Sequence, residues 1–240
     1  MPDPTEQEAR QYYDELSDSY ERERGRGYHR MIDELELELT LPYAQGARVL
    51  ELGCGTGLIL ARVAEVADQA VGIDQSEGMA QRARDRGLDV RIGTVRELPF
   101  EDAQFDLTYS FKVLAHVSDV QAAIREAARV TRRGGHLLLE FYNPWSLRYL
   151  AKKIAGPRPV GKYRTEADIF TRWDSPRVIP SFLPAGLELV DYYGVRVLTP
   201  FAAVHEIPFI AGGLNGAERL AGRSPLRYFG GFLVAILRKQ

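Results

Sequence analysis

The stretch Arg48-Val49-Leu50-Glu51-Leu52-Gly53-Cys54-Gly55-Thr56-Gly57 constrains the fold more than any other part of the chain. A short apolar run breaks into three alternating glycines and then into the helical pattern Leu58-Ile59-Leu60-Ala61-Arg62-Val63-Ala64, so it reads as strand, tight loop, helix. Glycine permits φ > 0 and lets a ligand approach the main chain where a Cβ would obstruct it. The helix start that follows offers unpaired N–H groups and a partial positive charge. Such a loop suits a nucleotide-like guest with an anionic or strongly accepting group.

From Arg48 onward the pattern alternates strand and helix with short connections, which predicts an α/β fold with a parallel sheet covered on both faces. Strands are expected at Arg48–Leu52, Gln69–Asp74, Asp89–Gly93, Phe105–Phe111, His136–Tyr142, Leu187–Val197 and Gly230–Leu237. Helices are expected through Glu77–Arg86 and through Val120–Arg132, the latter capped by Ser118 and stopped by Gly134-Gly135. The leading residues 1–45 read as a helical cap. Pro4–Leu16 carries Ala9, Tyr12, Tyr13 and Leu16 on one side, a charged loop covers Glu21–Gly27, and a second helix over Tyr28–Leu41 ends at Pro42. Residues 46–142 form the cofactor-binding core of a single domain spanning 1–240. The regularity lapses at 143–175 and at 199–228, which read as insertions after strands five and six; a helix near Pro176–Leu183 lies between them.

At 240 residues with 45% apolar content the chain buries an ample core. The net charge of −2 and pI near 6.1 give no general attraction to nucleic acid. Cys54 is the only cysteine, which excludes an intrachain disulfide and a multi-cysteine zinc site and fits a reducing, cytoplasmic home. As a thiol in the glycine loop it reads as a small residue that fits there, with no activating partner visible. No apolar run reaches membrane-spanning length, and the acidic N-terminus lacks a signal-peptide pattern.

Dinucleotide enzymes use similar turns, typically G-x-G-x-x-G, but here the third glycine comes one residue early. Asp74 ends the second strand about 20 residues further on, where a carboxylate can accept both hydroxyls of a ribose. It is also placed to cap the helix that follows, and both roles are compatible. With Gly72-Ile73-Asp74, Leu98-Pro99-Phe100 followed by Phe105-Asp106, Val113-Leu114-Ala115-His116-Val117 and Ala127 to Leu137, the chain resembles the class I S-adenosylmethionine-dependent methyltransferases. More narrowly it is similar to their type 11, ubiquinone-biosynthesis-like small-molecule branch, over roughly residues 10–145.

The resemblance implies a Rossmann-like seven-stranded sheet ordered 3-2-1-4-5-7-6 with the last strand antiparallel. It implies S-adenosyl-L-methionine as cofactor and S-adenosyl-L-homocysteine as product. Glu51 and the backbone of Gly53, Cys54, Gly55 and Gly57 would hold the methionine end, Asp74 the ribose, and Gln75 and Met79 the ribose and adenine surroundings. Adenine would lie between apolar side chains near Met79 and Leu98, with Thr94 and Val95 at its edge. Relatives usually carry Asp where this chain has Thr94. Ser110, at the tip of strand four, would contact the methionine amino group, and Tyr20, from a tyrosine-rich lead segment with Tyr12 and Tyr13, would close over the cofactor.

A sulfonium methyl is already electrophilic, so the protein mainly aligns a nucleophile with the S–CH₃ bond and excludes water; no metal is required. For an oxygen or nitrogen nucleophile a base helps, and His116 is the candidate by position, just beyond strand four where α/β ligands sit. Packing the adjoining helix or fixing the loop is the structural role it would otherwise fill. His29 and His205 read as surface or structural. Phe141, Tyr142, Asn143, Trp145 and Tyr149 lead into the first insertion, as core or as acceptor wall. The basic run Arg148, Lys152, Lys153, Arg158, Lys162 and Arg164 reads as a solvated face or as a greeting for an acidic acceptor.

The expected activity is methyl transfer to oxygen or nitrogen, less readily carbon, of a small, extended and partly apolar acceptor roofed by the two insertions. The alternatives are a cofactor-binding accessory protein without turnover and a nicotinamide-dependent oxidoreductase. A nucleic-acid methyltransferase is disfavoured, because the Asn/Asp-Pro-Pro-Tyr tetrad is missing and Asn143-Pro144-Trp145 follows strand five, not four.

Overall fold

The strand, loop and helix expected at the glycine run form with the expected bounds, β1 at Arg48–Leu52 and α3 at Leu58–Ala64. Side chains along β1 alternate between two cores: Leu50 and Leu52 join one cluster and Val49 the other, because successive strand residues face opposite sides. The computed structural model describes residues 4–17, 20–21, 27–156, 159–160, 164–165, 170–199, 201, 204 and 208–240. The remaining core strands are β2 (Gln69–Asp74), β3 (Asp89–Ile92), β4 (Phe105–Ser110), β5 (Thr131–Tyr142), β6 (Leu187–Val195) and β7 (Phe232–Lys239). They pair in the order β3-β2-β1-β4-β5-β7-β6, the first five parallel and β7 antiparallel to both neighbours. This is the Rossmann-like order implied by the resemblance. Strand β7 is buried on both faces from Phe232 to Leu237, which is why it reads as an unbroken apolar run.

Helices α1 (Pro4–Leu16) and α2 (Gly27–Ala44) precede the sheet; α4 (Glu77–Asp85), α5 (Val120–Val130), α6 (Leu147–Ala155) and α7 (Pro208–Arg223) follow. Buried residues of α5, including Ala123, Ile124 and Ala127, cover one face, and Met31, Ile32 and Leu35 of α2 cover the other. Among the described residues no helix is long and apolar enough to cross a membrane.

Several local expectations are corrected by tertiary contacts. Helix α2 runs through Pro42 to Ala44, which is fully buried; the chain turns instead at Gly46, whose left-handed φ of 64° and N–H bond to the Val66 carbonyl end the helix. Asp119, not Ser118, caps α5, its side chain accepting the Ala122 N–H at 2.9 Å. That helix stops at Val130 rather than at Gly134-Gly135, because Thr131 already pairs with Phe105 as strand β5, and a register shift lies between that pair and Leu107↔His136. The helix expected near Pro176–Leu183 shrinks to a 3-10 turn at Ile179–Phe182. Helix α7 forms where an irregular insertion was expected, with buried Glu218 accepting from the Val197 N–H, the Leu198 N–H and the Thr199 hydroxyl at 2.6–3.1 Å. The first insertion carries α6 and the paired two-residue strands Pro159–Val160 and Arg164–Thr165. His205, Arg158, Lys162 and most of the Glu21–Gly27 loop, singled out above, lie outside the described residues.

Candidate active site

A cleft opens at the carboxyl ends of β1, β2 and β4, the end of an α/β sheet where ligands bind. Gly53, Gly55, Asp74, Gln75, Met79, Thr94 and Val95 line it, with Tyr13 and Tyr20 from the N-terminal segment and Phe111, Lys112, Val113, His116 and Val117 after β4. An adjoining hollow of about 350 Å³ shares Tyr20, Gly53, Gly55, Phe111 and Lys112 and adds Glu51, Cys54 and Thr56.

Gly55 holds a left-handed φ of 54° and faces open space, a Cβ built on it meeting nothing within 4 Å, so its main chain is open to the cleft. Gly57 lies outside the cleft lining, where an added Cβ would come within 2.4 Å of Leu88 and 3.0 Å of Ala83. Asp74 binds both ends of the loop region: one carboxylate oxygen accepts from the Gly55 N–H at 2.8 Å and the other from the Ser76 N–H at 2.9 Å. Ser76 itself caps α4 through the Met79 N–H. Burial raises the Asp74 pKa, against the pull of these amides.

Glu51 is buried and accepts the Tyr109 hydroxyl at 2.9 Å. Desolvation pushes its pKa up to about 8, with the Tyr109 bond and the Lys112 charge opposing. Lys112, at φ 62°, donates its N–H to Glu140 at 2.9 Å and its ammonium to Asp33 at 3.0 Å and Glu36 at 2.7 Å. One lysine thus ties strand β5 and helix α2 to the floor of the cleft. Burial and then the Glu36 charge raise the pKa of Glu140.

His116 ends a 3-10 turn, Leu114–His116, and its Nδ1 lies 2.9 Å from the Phe170 carbonyl. A carbonyl only accepts, so Nδ1 carries the proton and Nε2 keeps its lone pair. The ring meets Tyr13 and Tyr142 edge to face at 6.5 and 5.6 Å, and burial lowers its pKa. Phe170 and Thr171 belong to the first insertion, whose next residues bind alongside: the Arg172 N–H to the Ala115 carbonyl and the Asp174 N–H to the Tyr142 carbonyl, both at 2.8 Å. The described part of the second insertion packs elsewhere, on α2 through Arg219–Glu38 and on β6 through Gly222.

A family described as methyltransferase domain matches residues 50–139. The 27-O-demethylrifamycin SV methyltransferase of Amycolatopsis mediterranei is 33% identical over 189 residues, 68% of this chain and 68% of that protein. The chain belongs to the class I S-adenosylmethionine-dependent methyltransferases. A second relative of this methyltransferase, the malonyl-(acyl-carrier protein) O-methyltransferase of Serratia marcescens, is 30% identical over 202 residues, 76% of this chain and 78% of that one. Other relatives match over 30% to 63% of their own length. In fold, an S-adenosylmethionine-dependent methyltransferase of Thermotoga maritima superposes with a TM-score of 0.68 at 23% identity, covering 95% of this chain and 98% of that one. The nicotinamide alternative is thereby set aside, and S-adenosylmethionine is the cofactor of this methyltransferase. The residues present fit it: a bare main chain at Gly55, a half-buried carboxylate at Asp74 able to accept ribose hydroxyls, and Met79 and Val95 as apolar walls.

Three residues named from sequence sit away from the cleft lining in the methyltransferase: Gly57, which packs on Leu88 and Ala83, Ser110 and Leu98. Ser110 is fully buried, its hydroxyl donating to the Leu52 carbonyl at 3.2 Å, and the lining begins one residue later at Phe111. Leu98 is buried in the core, and Val95 takes its place on the cleft wall. Sequence reasoning passed over Asp14, Lys112 and Phe170. Only Lys112 left a local signal, standing between the strand-four tip and the Val113–Val117 motif.

Proposed function

We propose that this methyltransferase alkylates a hydroxyl or other oxygen nucleophile of a small acceptor, with His116 as the base that receives its proton. The observation that carries this reading is the 2.9 Å contact of His116 Nδ1 with the Phe170 carbonyl, shorter than the 3.4 Å to the Thr171 hydroxyl: an acceptor there assigns the proton to Nδ1 and leaves the Nε2 lone pair as the basic atom of a ring lining the cofactor cleft. The relatives named above as O-methyltransferases favour oxygen as acceptor atom. When bound, S-adenosylmethionine supplies an electrophilic sulfonium methyl, a reaction that needs no Lewis acid and is therefore read as metal-independent.

In this reading Asp74 binds the ribose hydroxyls, Gln75 and Met79 flank the nucleoside, and Thr94 and Val95 border the adenine. Glu51 and the Gly53–Gly57 loop hold the methionine end, with Tyr20 closing over it. His116 and Tyr13 bound the acceptor, and residues Phe170–Asp174 of the first insertion form its outer wall, keeping water from the nucleophile. The single cysteine, Cys54, is buried and its thiol pKa raised by burial, in keeping with a structural role in a reducing cytoplasm.

An acceptor screen of phenols, enols, carboxylic acids and amines, read by S-adenosylhomocysteine release, tests the reading together with His116→Ala. Oxygen-methylated products, a kcat lowered about 10²–10⁴-fold in the variant and unchanged S-adenosylhomocysteine affinity are expected. Exclusive N-methylation would overturn the oxygen assignment, and an unaltered kcat in His116→Ala would remove the base.

A further inference from the structure

Helix α6 is turned inside out. Its apolar stripe, Leu147, Leu150 and Ile154, is 46%, 56% and 79% exposed, and no residue of the helix is buried. Its cationic side faces the protein instead. The Arg148 guanidinium sits over three rings, 4.2 Å from the centroid of Tyr142, 4.4 Å from Phe232 and 4.9 Å from Trp173. Ring faces offset the charge of a guanidinium but accept none of its in-plane N–H groups. Nη1 of Arg148 is buried and has no hydrogen-bond partner among the described residues, and an unmet buried donor on a charged group is a costly arrangement.

The neighbourhood is cationic as well. Arg196 lies against Gly231 alongside Arg148; two of its donors go to the Tyr28 hydroxyl at 2.6 Å and the Thr199 carbonyl at 2.8 Å, and the Glu218 carboxylate acts on it from nearby. His116 is one ring away: Tyr142 meets both the imidazole, at 5.6 Å between ring centroids, and the guanidinium, at 4.2 Å. A positive centre with an unmet donor, walled by flat rings and one ring beyond the base, matches an oxyanion on a flat or extended body.

Resting on the acceptor site proposed above, we propose that Arg148 anchors a carboxylate of the acceptor, beside Tyr142, the ring it shares with His116. The acceptor is then a hydroxy acid or similar oxygen nucleophile whose acid end pairs with Arg148 while its nucleophilic end reaches His116. Arg148 sets which acceptors bind and takes no part in proton transfer.

The test uses the full chain in a Trp145→Phe background, so that Trp173 beside Arg148 is the sole tryptophan, and reads fluorescence quenching with and without S-adenosylhomocysteine. The probes are matched acids and amides on hydroxybenzoyl, hydroxycinnamoyl and hydroxydecanoyl bodies, with hydroxyphenyl phosphate as a further arm. At least one acid should half-saturate at about tenfold or more lower concentration than its amide, the range of a charged hydrogen-bonded pair. Arg148→Met should abolish that difference without moving the amide titration, and Arg148→Lys should keep part of it. Acids and amides titrating alike on the unaltered arginine, or the phosphate binding where every acid fails, would overturn the carboxylate anchor even if Arg148→Met does not fold. Calorimetry with S-adenosylhomocysteine separates the two levels, since lost cofactor binding would undo the methyltransferase site and intact binding leaves only the anchor in question.

Discussion

The Asp14 carboxylate accepts the Ser76 hydroxyl at 2.5 Å, joining the N-terminal helix to the residue that caps α4. The same oxygen accepts the Gly78 N–H at 3.1 Å. Gly78 is bare where Ser17 crowds it, an added Cβ coming within 2.8 Å of the Ser17 hydroxyl. The N-terminal segment that brings Tyr13 and Tyr20 to the cleft is therefore latched to the helix that brings Met79.

Asp14→Ala should release that latch. The lost hydrogen bonds are worth about 1–2 kcal/mol, so S-adenosylhomocysteine affinity should fall roughly 5- to 30-fold while the sheet stays folded. Calorimetry and limited proteolysis check it. Unchanged affinity with an N-terminus no easier to cleave would show that the latch does not govern cofactor binding.

The glycines of the loop should separate binding from folding. Gly55→Ala meets no atom within 4 Å, so beyond the left-handed backbone cost of about 1 kcal/mol the fold is spared, and the loss should appear in cofactor affinity. Gly57→Ala drives a methyl into Leu88 and Ala83, so the loss should appear in the melting temperature. The same ranking of both variants in both measurements would contradict this division.

Cofactor affinity should rise with pH through Glu51. Its folded pKa of about 8 lies above the ordinary carboxylate value, so the stability its neutral form contributes is full below about pH 4.5 and is lost as pH climbs through 8. An ammonium bound beside it favours the ionised form, and binding then releases a proton. S-adenosylhomocysteine should bind more tightly at pH 8 than at pH 6, by up to about tenfold per unit. Glu51→Gln should flatten the slope, and a slope shared by both proteins would assign the proton to the ligand.

The acid limb of kcat/KM should lie below the ordinary histidine value of about 6.5. Burial disfavours imidazolium, so His116 stays neutral, and basic, further into acid than a free histidine does. A pH–rate profile with the best acceptor from the screen checks this. A limb above that value, or one that persists in His116→Ala, would belong to another group.

Much of this methyltransferase is legible in local pattern. The bounds of α1, β1, α3 and β2 match their expectations residue for residue, because each is defined by short-range periodicity and glycine punctuation. Most of the cleft wall was legible too, since Glu51, Gly53, Cys54, Gly55, Asp74, Gln75, Met79, Thr94 and Val95 lie at or just beyond successive strand ends.

What sequence alone determined, then, was the alternating α/β architecture and the cofactor loop, both carried by residues close together in the chain. Tertiary structure decided the rest. Pro42 stays inside α2 because Ala44 must be buried, α7 forms despite its glycines because Glu218 caps the end of β6 from 20 positions away, and Asp14 finds Ser76 across 62. Tertiary structure alone also decided the His116 tautomer, through a carbonyl 54 residues distant, and left the Arg148 donor unmet among three rings. Both depend on partners that only the folded chain brings together, and no local periodicity records them.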